Sequence, residues 1–193
     1  MQQYIYISIF LSLTYVFIIL RYFINWKSIP VWEIPPNFSP QTKVTIIIPA
    51  RNESAYIQTC IQSILDQKYP TQLFEILVID DHSEDNTTEL VRQFQAPNTH
   101  VLLLNKFISN RKELQSFKKK AIEIGIKNSK GDLIISTDAD CIVPPNWLHY
   151  LVSFYEKEQY KFIAAPVNFH KENSLFEKFQ SLDFIGMMGV TGA

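Results

Sequence analysis

Cysteine is nearly absent from this chain. Cys60 and Cys141 are the only two, and neither a CxxC pattern nor any metal-ligand spacing relates them. A disulfide framework and a thiolate metal centre are therefore excluded. Cys60 falls on the apolar face of a predicted helix and reads as core, while Cys141 reads as a small filler beside an acidic loop. Both suit a reducing, cytoplasmic location.

An excess of charge of one sign is missing as well. With 18 Lys+Arg against 19 Asp+Glu the net charge is −1, so no global field attracts nucleic acid, and no nucleic-acid partner is expected. There is no internal repeat and no low-complexity tract. The 193 residues allow one domain of ordinary size with a small appendage.

The amino terminus has almost no polarity. From Tyr4 to Leu20 no side chain is charged, and only Ser8, Ser12 and Thr14 interrupt the apolar run. At about 1.5 Å per residue this stretch approaches the thickness of a ~30 Å hydrocarbon core, with Tyr4, Tyr22 and Trp26 as interfacial flanks. The expectation is a transmembrane anchor over residues 1–26. A cleavable signal peptide would want a basic residue before the run and a small-residue cleavage site, and neither is there. A buried core helix would want a polar face, which Ser8, Ser12 and Thr14 do not make. Arg21, Lys27 and Lys43 all follow the run, so the positive-inside bias predicts a single pass with the remainder cytoplasmic. Pro30, Pro35, Pro36 and Pro40 then make residues 27–42 a semi-extended linker.

Beyond the linker the pattern alternates strand and helix. Strands are predicted at 44–48, 75–79, 101–104 and 133–137, with a short fifth at 162–165. Helical stripes are formed by Ile57, Cys60, Ile61, Ile64 and Leu65, by Leu90, Val91 and Phe94, by Leu114, Phe117, Ala121, Ile124 and Gly125, and by Trp147, Leu148, Leu151, Val152 and Tyr155. A last helix is expected from Ser174 onward. Such alternation predicts right-handed crossovers and a mainly parallel sheet flanked by helices, preceded by the one transmembrane helix.

Three strand ends carry polar, mostly acidic loops. The first runs into Pro49-Ala50-Arg51-Asn52-Glu53, the second into Asp80-Asp81-His82-Ser83-Glu84-Asp85, and the fourth into Asp138-Ala139-Asp140-Cys141. In a parallel sheet these ends share one edge, so the loops converge on one crevice. An apolar strand that delivers two carboxylates one residue apart suits a divalent cation, because such carboxylates repel unless something neutralises them. Several of these residues also have purely structural readings. Asp80, Asp81, Ser83 and Asp85 can cap the following helix, Asn52 and Ser54 can enter the helix before it, Arg51 stands equally as ligand contact or surface residue, and His82 reads as a solvated loop residue.

PARNE, VIDDHSED, the basic helix at Lys118, Lys119 and Lys120, and STDADC, in that order at strand ends, resemble the donor half of a family 2 glycosyltransferase with the GT-A (Rossmann-like) fold, over about Val44 to Phe169. The resemblance implies a nucleoside diphosphate sugar donor, with base and ribose held by Pro49, Ala50, Arg51, Glu53 and Asp81. It implies that Asp138 and Asp140 are the DxD pair, Asp140 a direct ligand of Mn2+ or Mg2+ and Asp138 nearer the ribose or sugar. Lys118 would reach the diphosphate, although Phe117 stands where the family often has glycine. Residues 43–170 would then be the nucleotide-sugar-binding domain and 171–193 the start of an acceptor-side region. The acceptor would be a glycan or a lipid-linked one.

Direct transfer also needs a general base, and nothing after Phe169 resembles one; Asp183, the one late aspartate, is a poor candidate. The catalytic base is therefore expected beyond residue 193, and the chain is expected to be an amino-terminal portion. Two other functions compete. A phosphatase of the haloacid-dehalogenase type also uses DxD, but on its first strand; a non-catalytic nucleotide-sugar-binding scaffold or incomplete synthase would keep the site without turnover.

Overall fold

Four of the apolar runs become parallel strands in the computed structural model, which describes residues 2–108, 116–170 and 172–192. They are β1 (Val44–Ala50), β2 (Phe74–Asp80), β3 (Thr99–Leu103) and β4 (Leu133–Ser136), in the order β3-β2-β1-β4. The helices are α1 (Gln2–Ser28), α2 (Ile57–Leu65), α3 (Thr87–Arg92), α4 (Phe117–Asn128), α5 (Trp147–Glu158) and α6 (Leu175–Gly192). Two compact units result, Glu33–Lys161 and Met1–Trp32 with Phe162–Ala193.

In the first unit the strand period of two sorts β1 between two cores. Val44, Ile46, Ile48 and Ala50 face one side with Ile76 and Val78, beneath Ile57, Ile61 and Ile64 of α2, Val91 of α3 and Leu148 and Val152 of α5. Ile47 faces the other with Leu77 and Ile79, against Ala121 and Ile124 of α4. A strand covered on both faces shows no polar alternation, and the one polar side chain of VTIII, the buried Thr45, donates from Oγ1 to Glu75 Oε1 at 2.7 Å. Each fully buried Ile contributes about 1.5–3 kcal/mol.

Two glycines set close approaches. A Cβ at Gly125 would stand 2.7 Å from Ile47 Cγ2, so α4 lies on β1 at a separation only glycine allows. One at Gly131, before β4, would collide with the Thr45 backbone.

Because β2 and β3 lie to one side of β1 and β4 to the other, the connections reverse direction between β1 and β4. That reversal opens a crevice at the carboxyl edge, flanked by the loops after β1 and β4.

The second unit holds α1 and α6, which pack side by side. No residue of α1 is buried, and by length and composition the helix is a candidate membrane span. Phe169, Phe176, Phe179, Phe184 and Met187 line an apolar hollow of about 320 Å³ beside α6.

Differences from the sequence expectations are local. Residues 162–165 form no strand: no neighbouring strand pairs with them, and Phe162 is 85% exposed. The N-cap of α3 is Asn86 rather than Ser83 or Asp85, and it makes no side-chain capping bond. Leu114, expected on the α4 stripe, lies outside the described residues.

Candidate functional site

On the β1 side of the crevice, the loops after β1 and β2 brace each other. Asn52 takes a left-handed conformation (φ 56°), one that asparagine adopts more readily than most residues. Its backbone N–H then donates to Ser83 Oγ at 3.0 Å, and its side-chain Oδ1 accepts from Glu84 N at 2.8 Å. Glu53 N donates to Thr87 Oγ1 (2.8 Å), Ser54 N to Asp85 Oδ2 (3.1 Å) and Asp81 N to Ala50 O (2.8 Å). The Thr87 hydroxyl in turn donates to Asp85, and these bonds hold the Asp85 carboxyl down at about 2. The loops after β1 and β2 are thus one hydrogen-bonded body.

Pro49 and Ala50 end β1 in register with Ile79 and Asp80, so Asp81 emerges directly beside them. Asp81 is buried, its Oδ1 2.9 Å from His82 Nδ1. His82 is not the solvated residue expected: at φ 57° its ring turns inward to 15% side-chain exposure and meets the Phe117 ring edge-on at 6.0 Å. Asp80 is also buried; its Oδ2 accepts from Ser83 N, while Oδ1 has no partner among the described residues. Arg51 is exposed and Glu53 half-buried.

Beyond β4 the chain turns sharply, with Cys141 N donating to Asp138 O at 3.2 Å, and the small Ala139 is buried between two exposed aspartates. Lys118 lies in the first turn of α4, where Ser116 caps the helix by accepting from Lys119 N. Its Nζ reaches Asp138 Oδ1 at 2.8 Å. Asp140 has no ion-pair partner among the described residues; the Cys141 thiol lies 3.9 Å from its Oδ1. Burial pushes the Glu53 carboxyl above its ordinary value, and the negative charges of Asp140, Asp85 and Asp138 push it further in the same direction. Burial and the same acidic surroundings drive the Cys60 thiol up to about 12, so it is no nucleophile. The site is therefore acidic beyond what its one lysine neutralises.

The structure brings Glu53, Asp138 and Asp140 into mutual electrostatic range and sets Lys118 on Asp138. Pro49, Ala50 and Asp81 line the adjoining strand ends. Among the described residues no three His, Cys, Asp or Glu side chains could hold a metal by themselves. Sequence reasoning missed Thr87, which receives the Glu53 amide, and Ser63 and Gln67, which bind the backbone after Asp140. Gln67 had a signal: it stands three residues past Ile64, the next position of the apolar spacing, although α2 itself ends at Leu65.

Fold and site define an α/β domain of GT-A architecture with an acidic crevice at its switch point. A mannosyltransferase from Pyrobaculum calidifontis, solved with GDP-Man and Mn2+, shares this fold with a TM-score of 0.57 and 24% identity over 72% of this chain and 39% of that one. Residues 45–188 match the family model of glycosyl transferase family 2, and the chain belongs to that family. It is 31% identical over 130 residues to glycosyltransferase AglE of Haloferax volcanii, covering 67% of this chain and 41% of that protein. It is 35% identical over 148 residues to the undecaprenyl-phosphate 4-deoxy-4-formamido-L-arabinose transferase of Yersinia pestis, covering 74% and 42% respectively. The chain thus spans about two fifths of the length of these curated relatives. Family membership decides against the phosphatase alternative.

Proposed function

We propose that this chain carries the donor site of a membrane-anchored glycosyltransferase, which moves a sugar from a nucleoside diphosphate sugar to a glycan or lipid-linked acceptor. The observation that carries the reading is the surplus of negative charge at the switch-point crevice, where Lys118 pairs with Asp138 and leaves Asp140 and the nearby Glu53 without an ion-pair partner among the described residues. A surplus of carboxylates around an exposed Asp140 suits a hard divalent cation, Mn2+ or Mg2+. Such a cation takes one or two protein carboxylates and completes its shell with phosphate oxygens, so the lack of a third protein ligand is no obstacle. When bound, the cation would offset the charge that builds on a departing nucleoside diphosphate.

In this reading the chain's own residues do the rest. Pro49, Ala50, Arg51 and Glu53 hold the base and ribose with Asp81, whose carboxylate is oriented by His82. Asp138 faces the ribose or the sugar and Asp140 the cation. Lys118 exchanges its ion pair with Asp138 for the diphosphate. Transfer proceeds with inversion, by direct attack of an acceptor hydroxyl on the face opposite the leaving group, assisted by a general base. α1 anchors the domain, and Arg21, Lys27 and Lys43 favour the cytoplasmic side, where activated sugars are available.

The relatives named for an undecaprenyl-phosphate acceptor support the lipid-linked alternative for the acceptor. A thermal-shift panel of nucleoside diphosphate sugars with and without Mn2+ tests the reading, since a ligand selective for the folded state raises the apparent Tm by mass action. Nucleotide is expected to add a shift only when the cation is present with it.

A further inference from the structure

The turn that carries Asp138 and Asp140, with the segment after it, is held by α2 and the residues that directly follow that helix. Cys60 Sγ lies 3.6 Å from Asp138 O, as a thiol donor toward the same carbonyl that accepts from Cys141 N. One turn on, Ser63 Oγ accepts from Val143 N at 3.1 Å. Just past the end of α2, Gln67, which is 6% exposed, donates from Nε2 to Pro144 O at 2.8 Å and accepts at Oε1 from Leu148 N at 3.1 Å. Lys68 N adds a bond to Pro145 O at 3.1 Å. Cys60 and Ser63, three residues apart, share one face of α2, and Gln67 follows two residues past the end of the helix. The segment they hold contains Pro144 and Pro145, which cannot donate backbone bonds of their own, so its anchoring falls to Ser63 of α2 and to Gln67 just beyond it.

The same helix begins in the other half of the site. Tyr56 N and Ile57 N both donate to Glu53 O, at 3.0 and 2.9 Å, so α2 starts on the loop that presents Glu53. We infer that Ser63 and Gln67 are positioning residues: through their bonds to the 138–148 backbone they set where Asp138 and Asp140 stand relative to Glu53. The inference rests on the donor-site reading and names the residues that give that site its spacing. Gln67 is the stronger of the two because it is buried and engaged at both ends. Its loss leaves a buried amide and a carbonyl without partners, so the loop must move to satisfy them.

The test compares Gln67→Leu and Ser63→Ala with Ile61→Val, a core truncation in α2 that touches none of these bonds. Two readouts are taken on the full chain in detergent. The first is amide exchange of the unliganded protein, in which Gln67→Leu should raise exchange across residues 139–150 well above the rise caused by Ile61→Val. The second is Mn2+-dependent binding of UDP and GDP, which Gln67→Leu should weaken about tenfold and Ser63→Ala less, with Ile61→Val close to the parent. Unchanged exchange and affinity in Gln67→Leu, or an equal loss in Ile61→Val, overturns the inference while the donor site stands. A parent chain that binds neither nucleotide with Mn2+ overturns the donor-site reading itself, and the functional half of this inference with it.

Discussion

Replacing Lys118 by alanine separates the two roles this side chain can have. In the structure it pairs with Asp138 at 2.8 Å, with side-chain exposures of 61% and 54%. Two unit charges at that distance attract by about 1.5 kcal/mol in water, and side-chain entropy and salt reduce an exposed pair to roughly 0–1 kcal/mol. Lys118→Ala should therefore leave the melting curve of the unliganded protein within about 0.5–1 kcal/mol of the parent. A charge-assisted bond from lysine to a phosphate oxygen contributes about 1.5–3 kcal/mol, so affinity for a nucleoside diphosphate should fall roughly tenfold to a hundredfold. Removing the cation also leaves Asp138 unneutralised beside Asp140. Mn2+ affinity without nucleotide should then rise as nucleotide affinity falls. Calorimetric titration of Mn2+ alone, and of UDP and GDP at saturating Mn2+, measures both. Opposite signs are the signature of a lysine that holds the place of a cation and then meets the diphosphate. Unchanged nucleotide affinity, or a loss of both affinities together with several kcal/mol of stability, would refute the reasoning.

Three further outcomes follow from the same structure. Glu53→Gln should stabilise the unliganded protein at neutral pH, because a carboxyl whose folded value is raised costs stability once pH climbs above its ordinary value near 4.5; the gain should vanish in melts below that pH, and a gain constant with pH would contradict the assignment. Gly125→Ala should destabilise by about 1–2 kcal/mol, the overpacking against Ile47 exceeding the ~1 kcal/mol helix-propensity gain, and Ile47→Ala should absorb most of that cost in a double-mutant cycle by denaturant unfolding. Protease added outside intact cells should spare residues beyond 40, and digestion there would reverse the proposed topology.

The sheet was legible because its signals are local. VTIII and EILVI are too uniformly apolar to be anything but strands covered on both faces, LIIST carries the same apolar run although β4 is an edge strand that leaves Ile134 exposed, and the stripe of α2 recurs at helical spacing. The failed fifth strand at 162–165 has the right composition, but a strand exists only where a neighbour supplies hydrogen bonds, and composition does not encode the neighbour. In the site, Asp138 and Asp140 stood out because two carboxylates at an apolar strand's end have few structural uses. His82 was misread because its inward turn depends on a left-handed backbone and on Phe117, far away in sequence. Thr87, Ser63 and Gln67 were missed because each binds backbone atoms of a distant segment, and a pattern read along one helix does not show what lies across from it.

The most direct test of the donor-site claim is calorimetric binding of UDP and GDP, with and without Mn2+, to the parent chain and to Asp140→Ala. Asp140 is exposed and contributes no core packing, so the variant should fold and melt as the parent does. The parent should bind at least one nucleotide only when Mn2+ is present, and Asp140→Ala should lose that cation-dependent binding. Equal binding by both proteins, or binding indifferent to the cation, would contradict the account.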